Sequence, residues 1–223
     1  MERILIENEG PFVDPINLAI KEAFKLALEH NVDEVAIVYA TKGSFFGSVF
    51  EDVLGEPSIK NLLEGKKIPL CEDVHLSFLL PKDCSSARTP KILLASYLSL
   101  ELMSILDANP HLTALVFLPW NADEGKKWLN LWMPNVKVVG DLGWVDHATP
   151  FKLHDEVEKA LTSIIFKTVT HPNDKERVKL KFKALKVQGH FLSAEDTKSW
   201  AIKNGWAERD AKNLADIAAT IFK

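Results

Sequence analysis

Cysteine is scarce: only Cys71 and Cys84 occur among 223 residues. A disulfide-stapled secreted framework carries more, in even numbers and in a shorter chain. Two free thiols in a reducing compartment are expected. Long apolar runs are missing as well. The longest, Ile92–Leu100, is interrupted by serines and is far shorter than the roughly 20 residues that span a bilayer. The opening residues, MERILIENEGPFVDP, lack the basic stretch and apolar stretch of a secretory signal. A soluble cytoplasmic protein with no membrane partner is the expectation.

Several motifs are absent, and each absence excludes a chemistry. There is no G-x-G-x-x-G dinucleotide fingerprint and no G-x-x-x-x-G-K-[ST] phosphate loop. There is no G-x-S-x-G elbow, which weakens an α/β-hydrolase assignment. H-E-x-x-H and C-x-x-C are missing too. Cys71, His75 and Cys84 invite a zinc assignment. If one strand holds both Cys71 and His75, however, residues four apart lie about 13 Å apart along it. No structural metal is expected. His154 and Asp155 adjoin on an expected helix and face different ways, so they form no pair.

What is present is ordinary globular composition, 47 % hydrophobic and 26 % charged. The net charge of −4 does not mark a binder of polyanions. It conceals an asymmetry. Residues 174–223 carry 11 Lys+Arg against 7 Asp+Glu, and residues 1–173 carry 16 against 24. This break suggests two parts, residues 1–172 and residues 173–223.

Six short apolar runs are expected as strands: Arg3–Glu7, Val35–Ala40, Val74–Leu80, Ile92–Tyr97, Ala114–Pro119 and Val136–Gly140. Those at 35–40, 92–97 and 114–118 are apolar almost throughout, as in strands covered on both faces. Helical periodicity fills Pro15–His30 (with Asp14 as the expected cap), Leu98–Ala108, Asp123–Met133 and Phe151–Val169. The rhythm predicts a three-layer, mostly parallel, Rossmann-like α/β sheet. Ten residues, Pro81–Pro90, separate the third and fourth runs, too few for a regular crossover. Those strands are expected to be antiparallel neighbours or not adjacent, and the sheet mixed.

The last 50 residues are expected to form a small helical appendage. A basic stretch, Asp174–Gln188, stops at Gly189, although its alternation also suits a strand. Ser193 caps a second helix that ends at Asn204-Gly205, and a third runs from 207 to 222.

In open α/β sheets, ligands bind outside the carboxyl ends of the strands. That rule selects Thr41, Lys42, Gly43 and Ser44 after the second run, and Trp120, Asn121 and Asp123 after the fifth. Lys42 and the Gly43–Ser44 backbone are expected to hold an anion. Asp141 and His147, in the segment DLGWVDH, are the candidate catalytic residues, with His147 as acid or base. Ser44 or Ser96 would supply a nucleophile. Asp141 or Asp123 would hold a sugar hydroxyl or a metal-bound water. Trp120 or Trp144 would stack on a planar ring. The expected function is binding of a small anionic or nucleotide-like ligand, with hydrolysis as a further option; no cofactor is identified. The alternative is a non-catalytic interaction or homo-oligomerisation module built on Trp200, Trp206 and Ile217. Nucleic-acid binding through Lys175–Lys186 is the third and least favoured reading.

Overall fold

A computed structural model describes residues 1–71, 73–86, 90–139, 148–165 and 167–223. Its contacts divide the chain into two compact units, Met1–Pro150 and Phe151–Lys223. The first unit holds strands β1 (Glu2–Ile6), β2 (Glu34–Val38), β3 (Ile68–Pro69), β4 (His75–Leu79), β5 (Ile92–Ser96), β6 (Ala114–Leu118) and β7 (Asn135–Lys137). They form one seven-stranded sheet in the order β3-β4-β2-β5-β6-β1-β7. All pairings are parallel except β3 with β4. The expected mixed, mostly parallel, Rossmann-like sheet is therefore present. β4 and β5 are not adjacent, because β2 lies between them and pairs with both.

The sheet is apolar on both faces because helices cover both. On one face, Ile4, Ile6, Ile37, Leu94 and Val116 pack against α1 (Val13–Glu29), α3 (Phe50–Leu54) and α4 (Glu56–Leu63). On the other, Leu5, Val38, Leu93 and Phe117 pack against α5 (Leu100–Asp107) and α6 (Ala122–Trp132). A short helix, α2 (Lys42–Phe45), follows β2. Chain order explains the two layers. Connections moving toward β3 (β1 to β2, β2 to β4) use the α1 face, and those moving toward β7 use the other. This is the right-handed crossover rule applied in both directions.

Several local expectations change. Asp14 is not the cap of α1: the helix begins at Val13, so Asp14 lies in its first turn and Pro15, which needs no hydrogen bond there, follows. Cys71 does not extend β4. It sits in the β3–β4 hairpin, where its N–H bonds to the Val74 carbonyl. The strand-spacing argument against zinc therefore does not apply. Among the described residues, no group of three or more His, Cys, Asp or Glu side chains could hold a metal. No helix among them is long and apolar enough to cross a membrane.

The second unit consists of α7 (Asp155–Thr162), α8 (Pro172–Val187), α9 (Ala194–Lys203) and α10 (Glu208–Ile221). Its core holds Val178, Phe182, Leu185, Trp200, Trp206, Leu214 and Ala218. α7 is shorter than the expected 151–169, since the β-branched Ile164, Ile165, Thr168, Val169 and Thr170 that follow favour helix poorly. The division at Pro150 lies upstream of the charge break, because α7 packs on α8 within this unit. α8 is a helix throughout, and Gly189 (φ 83°) follows its cap. Ser193 caps α9 as expected, accepting from the Asp196 N–H at 2.9 Å. Trp200, Trp206 and Ile217, expected to form an interface, are buried in the core instead. The indoles are the largest apolar groups the small unit has to bury.

Candidate functional site

The carboxyl ends of β2, β5, β6 and β1 lie side by side along one edge of the sheet. Neighbouring connections leave toward opposite faces at two places, between β2 and β5 and between β6 and β1. These are the switch points at which open α/β sheets form a crevice.

At the β2 tip, Thr41 caps α2 and accepts the Ser44 N–H at 3.0 Å. The hydroxyls of Thr41 and Ser44 are also 2.7 Å apart. Lys42 Nζ donates to the Leu63 carbonyl at the end of α4, at 2.8 Å. A side chain at Gly43 would meet nothing within 4 Å, so no close backbone approach demands glycine there. The turn is a capped helix start whose lysine and Ser44 amide are already bonded.

At the β5 tip, Ser96 is completely buried with no hydrogen-bond partner for its hydroxyl. A serine sealed in this way is not presented as a nucleophile. Tyr97 follows in the left-handed region, at φ 57°, where a bulky residue is strained. Its ring meets Tyr39 edge-on, with centroids 5.8 Å apart, and Trp120 edge-on at 5.3 Å. Its hydroxyl is buried without a partner, and burial pushes its pKa well above that of a free phenol. An aromatic chain therefore runs along the edge: Phe45, Tyr39, Tyr97, Trp120.

At the β6 tip, Trp120 is 48 % exposed. The next residue, Asn121, caps α6 by accepting the Glu124 N–H at 2.9 Å. Asp123 is exposed in the first turn of α6. Burial raises the pKa of Glu124, and the adjacent Trp120 backbone N–H partly offsets that.

At the β1 tip, Asn8 is completely buried. Its amide donates to the Gly10 carbonyl at 2.6 Å and to the Pro119 carbonyl at 2.8 Å. Asn8 thus ties the β1 exit to the peptide carbonyl just before Trp120. Asn8 and Tyr97 had no sequence signal of their own. Only strand order brings them to Trp120.

The candidate catalytic pair, Asp141 and His147, and Trp144 lie outside the described residues. Thr41–Ser44 and Trp120–Asp123 do share the carboxyl edge, at the tips of β2 and β6, with β5 between them.

A Rossmann-like α/β unit followed by a helical unit is the class the geometry defines. Residues 154–223 match a family described as a domain of unknown function (DUF1889), which coincides closely with the second unit. No curated protein and no solved structure gives a significant match to the chain.

Proposed function

We propose that the chain binds a small nucleotide-like ligand at the carboxyl edge of the sheet, with a planar ring stacked on Trp120. The observation that carries this reading is the way Trp120 is held. Its ring is half exposed beside a switch point, yet Tyr97 braces its edge and Asn8 ties down the preceding carbonyl. An exposed indole fixed in this manner is a preorganised stacking surface. Asn121 and Asp123 lie beside it, and Thr41, Lys42, Gly43 and Ser44 occupy the neighbouring tip. The Thr41–Ser44 turn supports the anion-holding part of this reading least, since its lysine and one amide are already bonded. Asp141 and His147 remain the candidates for an acid–base step. The test is a fluorescence titration with nucleosides and nucleotides. Quenching that disappears in a folded Trp120→Ala chain is the expected result; equal quenching in that variant overturns the reading.

A second reading, a protein-interaction module, has its own observation. Leu180, Ala184 and Val187 form an exposed ridge along α8, with Val187 88 % and Phe191 72 % exposed. Lys183 and Arg177 flank it, which suits an acidic partner helix and opposes pairing of two copies of α8. Binding of a synthetic acidic amphipathic helix, weakened by Lys183→Glu, would support it; equal binding by both chains would not.

A further inference from the structure

The second unit holds a cavity of about 90 Å³ between the first half of α8 and the segment that follows α7. Its apolar lining comes from Ile164, Ile165 and Val178. Val178 is buried and Ile165 is exposed, so apolar surface leads from solvent into the cavity. A group that covers Ile165 removes that surface from water, which favours binding. A cavity of roughly 150 Å³ is enough for benzene, so this one suits a smaller group, a branched alkyl chain of about three or four carbons.

Charges of both signs line the same cavity: Asp174, Arg177 and Lys181, all on α8. Asp174 and Arg177 stand three positions apart on one helix, a spacing at which opposite charges are neighbours. Elsewhere in this unit that spacing does give pairs, Glu156 with Lys159 at 2.8 Å and Glu176 with Lys179 at 2.7 Å. Among the described residues, however, neither the Asp174 carboxylate nor the Arg177 guanidinium has a hydrogen bond or an ion pair. The two hydroxyls at the cavity are already engaged. Ser163 Oγ accepts from Lys181 Nζ at 2.6 Å, and Thr168 Oγ1 donates to Asp210 Oδ1 at 2.9 Å. Ser163 is neutral, so the Lys181 charge stays uncompensated. A carboxylate alone would meet like charge at Asp174, and an amine alone would meet it at Arg177 and Lys181. A neutral ligand would desolvate all three charges with nothing in return. A ligand with both signs on one carbon answers them together.

We propose that this cavity binds a free α-amino acid with a branched aliphatic side chain. Asp174 takes the α-ammonium group, Arg177 and Lys181 take the α-carboxylate, and the alkyl chain enters between Ile164, Ile165 and Val178. Binding is non-covalent. Arg177 is exposed, so water screens its contact and the affinity is expected to be modest. The site does not depend on ring stacking at Trp120, because every lining residue belongs to the second unit.

The test titrates the full chain with leucine, 4-methylpentanoate (leucine without its amino group), 3-methylbutylamine (leucine without its carboxylate) and phenylalanine. Backbone amide NMR shifts are the readout, since they report place as well as affinity. Leucine is expected to shift residues 163–168 and 174–181 saturably. It is expected to bind about tenfold more tightly than either analogue, the loss of one charge-assisted contact. Phenylalanine, whose ring exceeds the cavity, is expected to bind several-fold more weakly than leucine. Two variants at side chains that hold nothing in the free protein complete the test. In Asp174→Asn the advantage of leucine over 4-methylpentanoate should shrink, and in Arg177→Met its advantage over 3-methylbutylamine should shrink. Equal affinity for leucine and either analogue, undiminished leucine binding by either variant, or no saturable shift with millimolar leucine overturns the proposal. Phenylalanine binding as tightly as leucine overturns the aliphatic assignment.

Discussion

Arg3 and Asp107 are 104 positions apart, yet Arg3 Nε donates to Asp107 Oδ1 at 3.0 Å. Asp107 also accepts the Trp128 indole N–H at 2.9 Å, and the Arg3 guanidinium lies 3.5 Å from the Trp132 ring centroid. Burial pushes the Asp107 carboxyl up, and Arg3 and Trp128 hold it partly down. Removing Asp107 leaves a largely buried guanidinium and an indole N–H unpaired. Asp107→Ala is therefore expected to destabilise the first unit by about 3 kcal/mol in urea unfolding. A loss under about 1 kcal/mol would mean that water already serves these groups. The thiols differ in the same way. Cys84 is buried, donates to the Leu80 carbonyl, and has its pKa pushed up to about 12 by burial. Cys71 is half-buried. One thiol should react quickly with Ellman's reagent at pH 8, and the second only after unfolding. Because the folded pKa of Cys84 is raised, its contribution to stability is complete below pH 9. It is lost as pH rises from there through about 12. Cys84→Ala should show a shallower alkaline loss than the parent chain, measured as urea midpoints between pH 8 and 11.

At the scale of the element, the existence of the helices was more legible than their starts, which fall at Val13, Leu100, Ala122 and Asp155 rather than at 15, 98, 123 and 151. Ser99, Asn121 and Ser193 each accept an N–H three residues on, and of these only Ser193 was expected as a cap. Asn121→Ala should cost about 1 kcal/mol, seen as a lowered unfolding midpoint. Asp14 misled because a proline in the first turn permits a start two residues earlier. α8 illustrates a harder problem. Its K-L-K-F-K alternation suits either period, and only packing of Val178, Phe182 and Leu185 into the helical core resolves it. Those three sit at helical spacing. The residues left outward, Leu180 and Val187, have no core role in the second unit. Val187→Asp should leave stability within about 0.5 kcal/mol of the parent, whereas Phe182→Ala should cost about 3–5 kcal/mol. Thermal unfolding followed by circular dichroism separates the two.

For the whole molecule, the charge asymmetry pointed to two parts, and contacts also divide the chain in two, at Pro150 rather than near 173. Charge responds to surface composition, while contacts respond to burial, and α7 is acidic on its surface yet contributes Val157 and Leu161 to the buried set. A fragment of residues 151–223 is accordingly expected to fold on its own, with cooperative loss of its helical signal on heating. A fragment of residues 173–223, without α7, should be less stable by several kcal/mol. Equal midpoints for both would move the boundary back to the charge break. The parallel sheet itself was readable because strands covered on both faces must be apolar throughout, as Val35–Val38, Ile92–Ala95 and Ala114–Leu118 are.

Local residue pattern was enough for the class of fold, the Ser193 cap and the nonadjacent-or-antiparallel choice for β4 and β5. These follow from local periodicity, cap chemistry and the reach of a short connection. It could not choose between the two options for β4 and β5, nor single out Asn8 beside Pro119, Tyr97 braced on Trp120 or Arg3 under Asp107. Each of those depends on which strands become neighbours across the sheet. That order is set by the burial of two apolar faces at once, a property of the packed chain that no short stretch of residues carries.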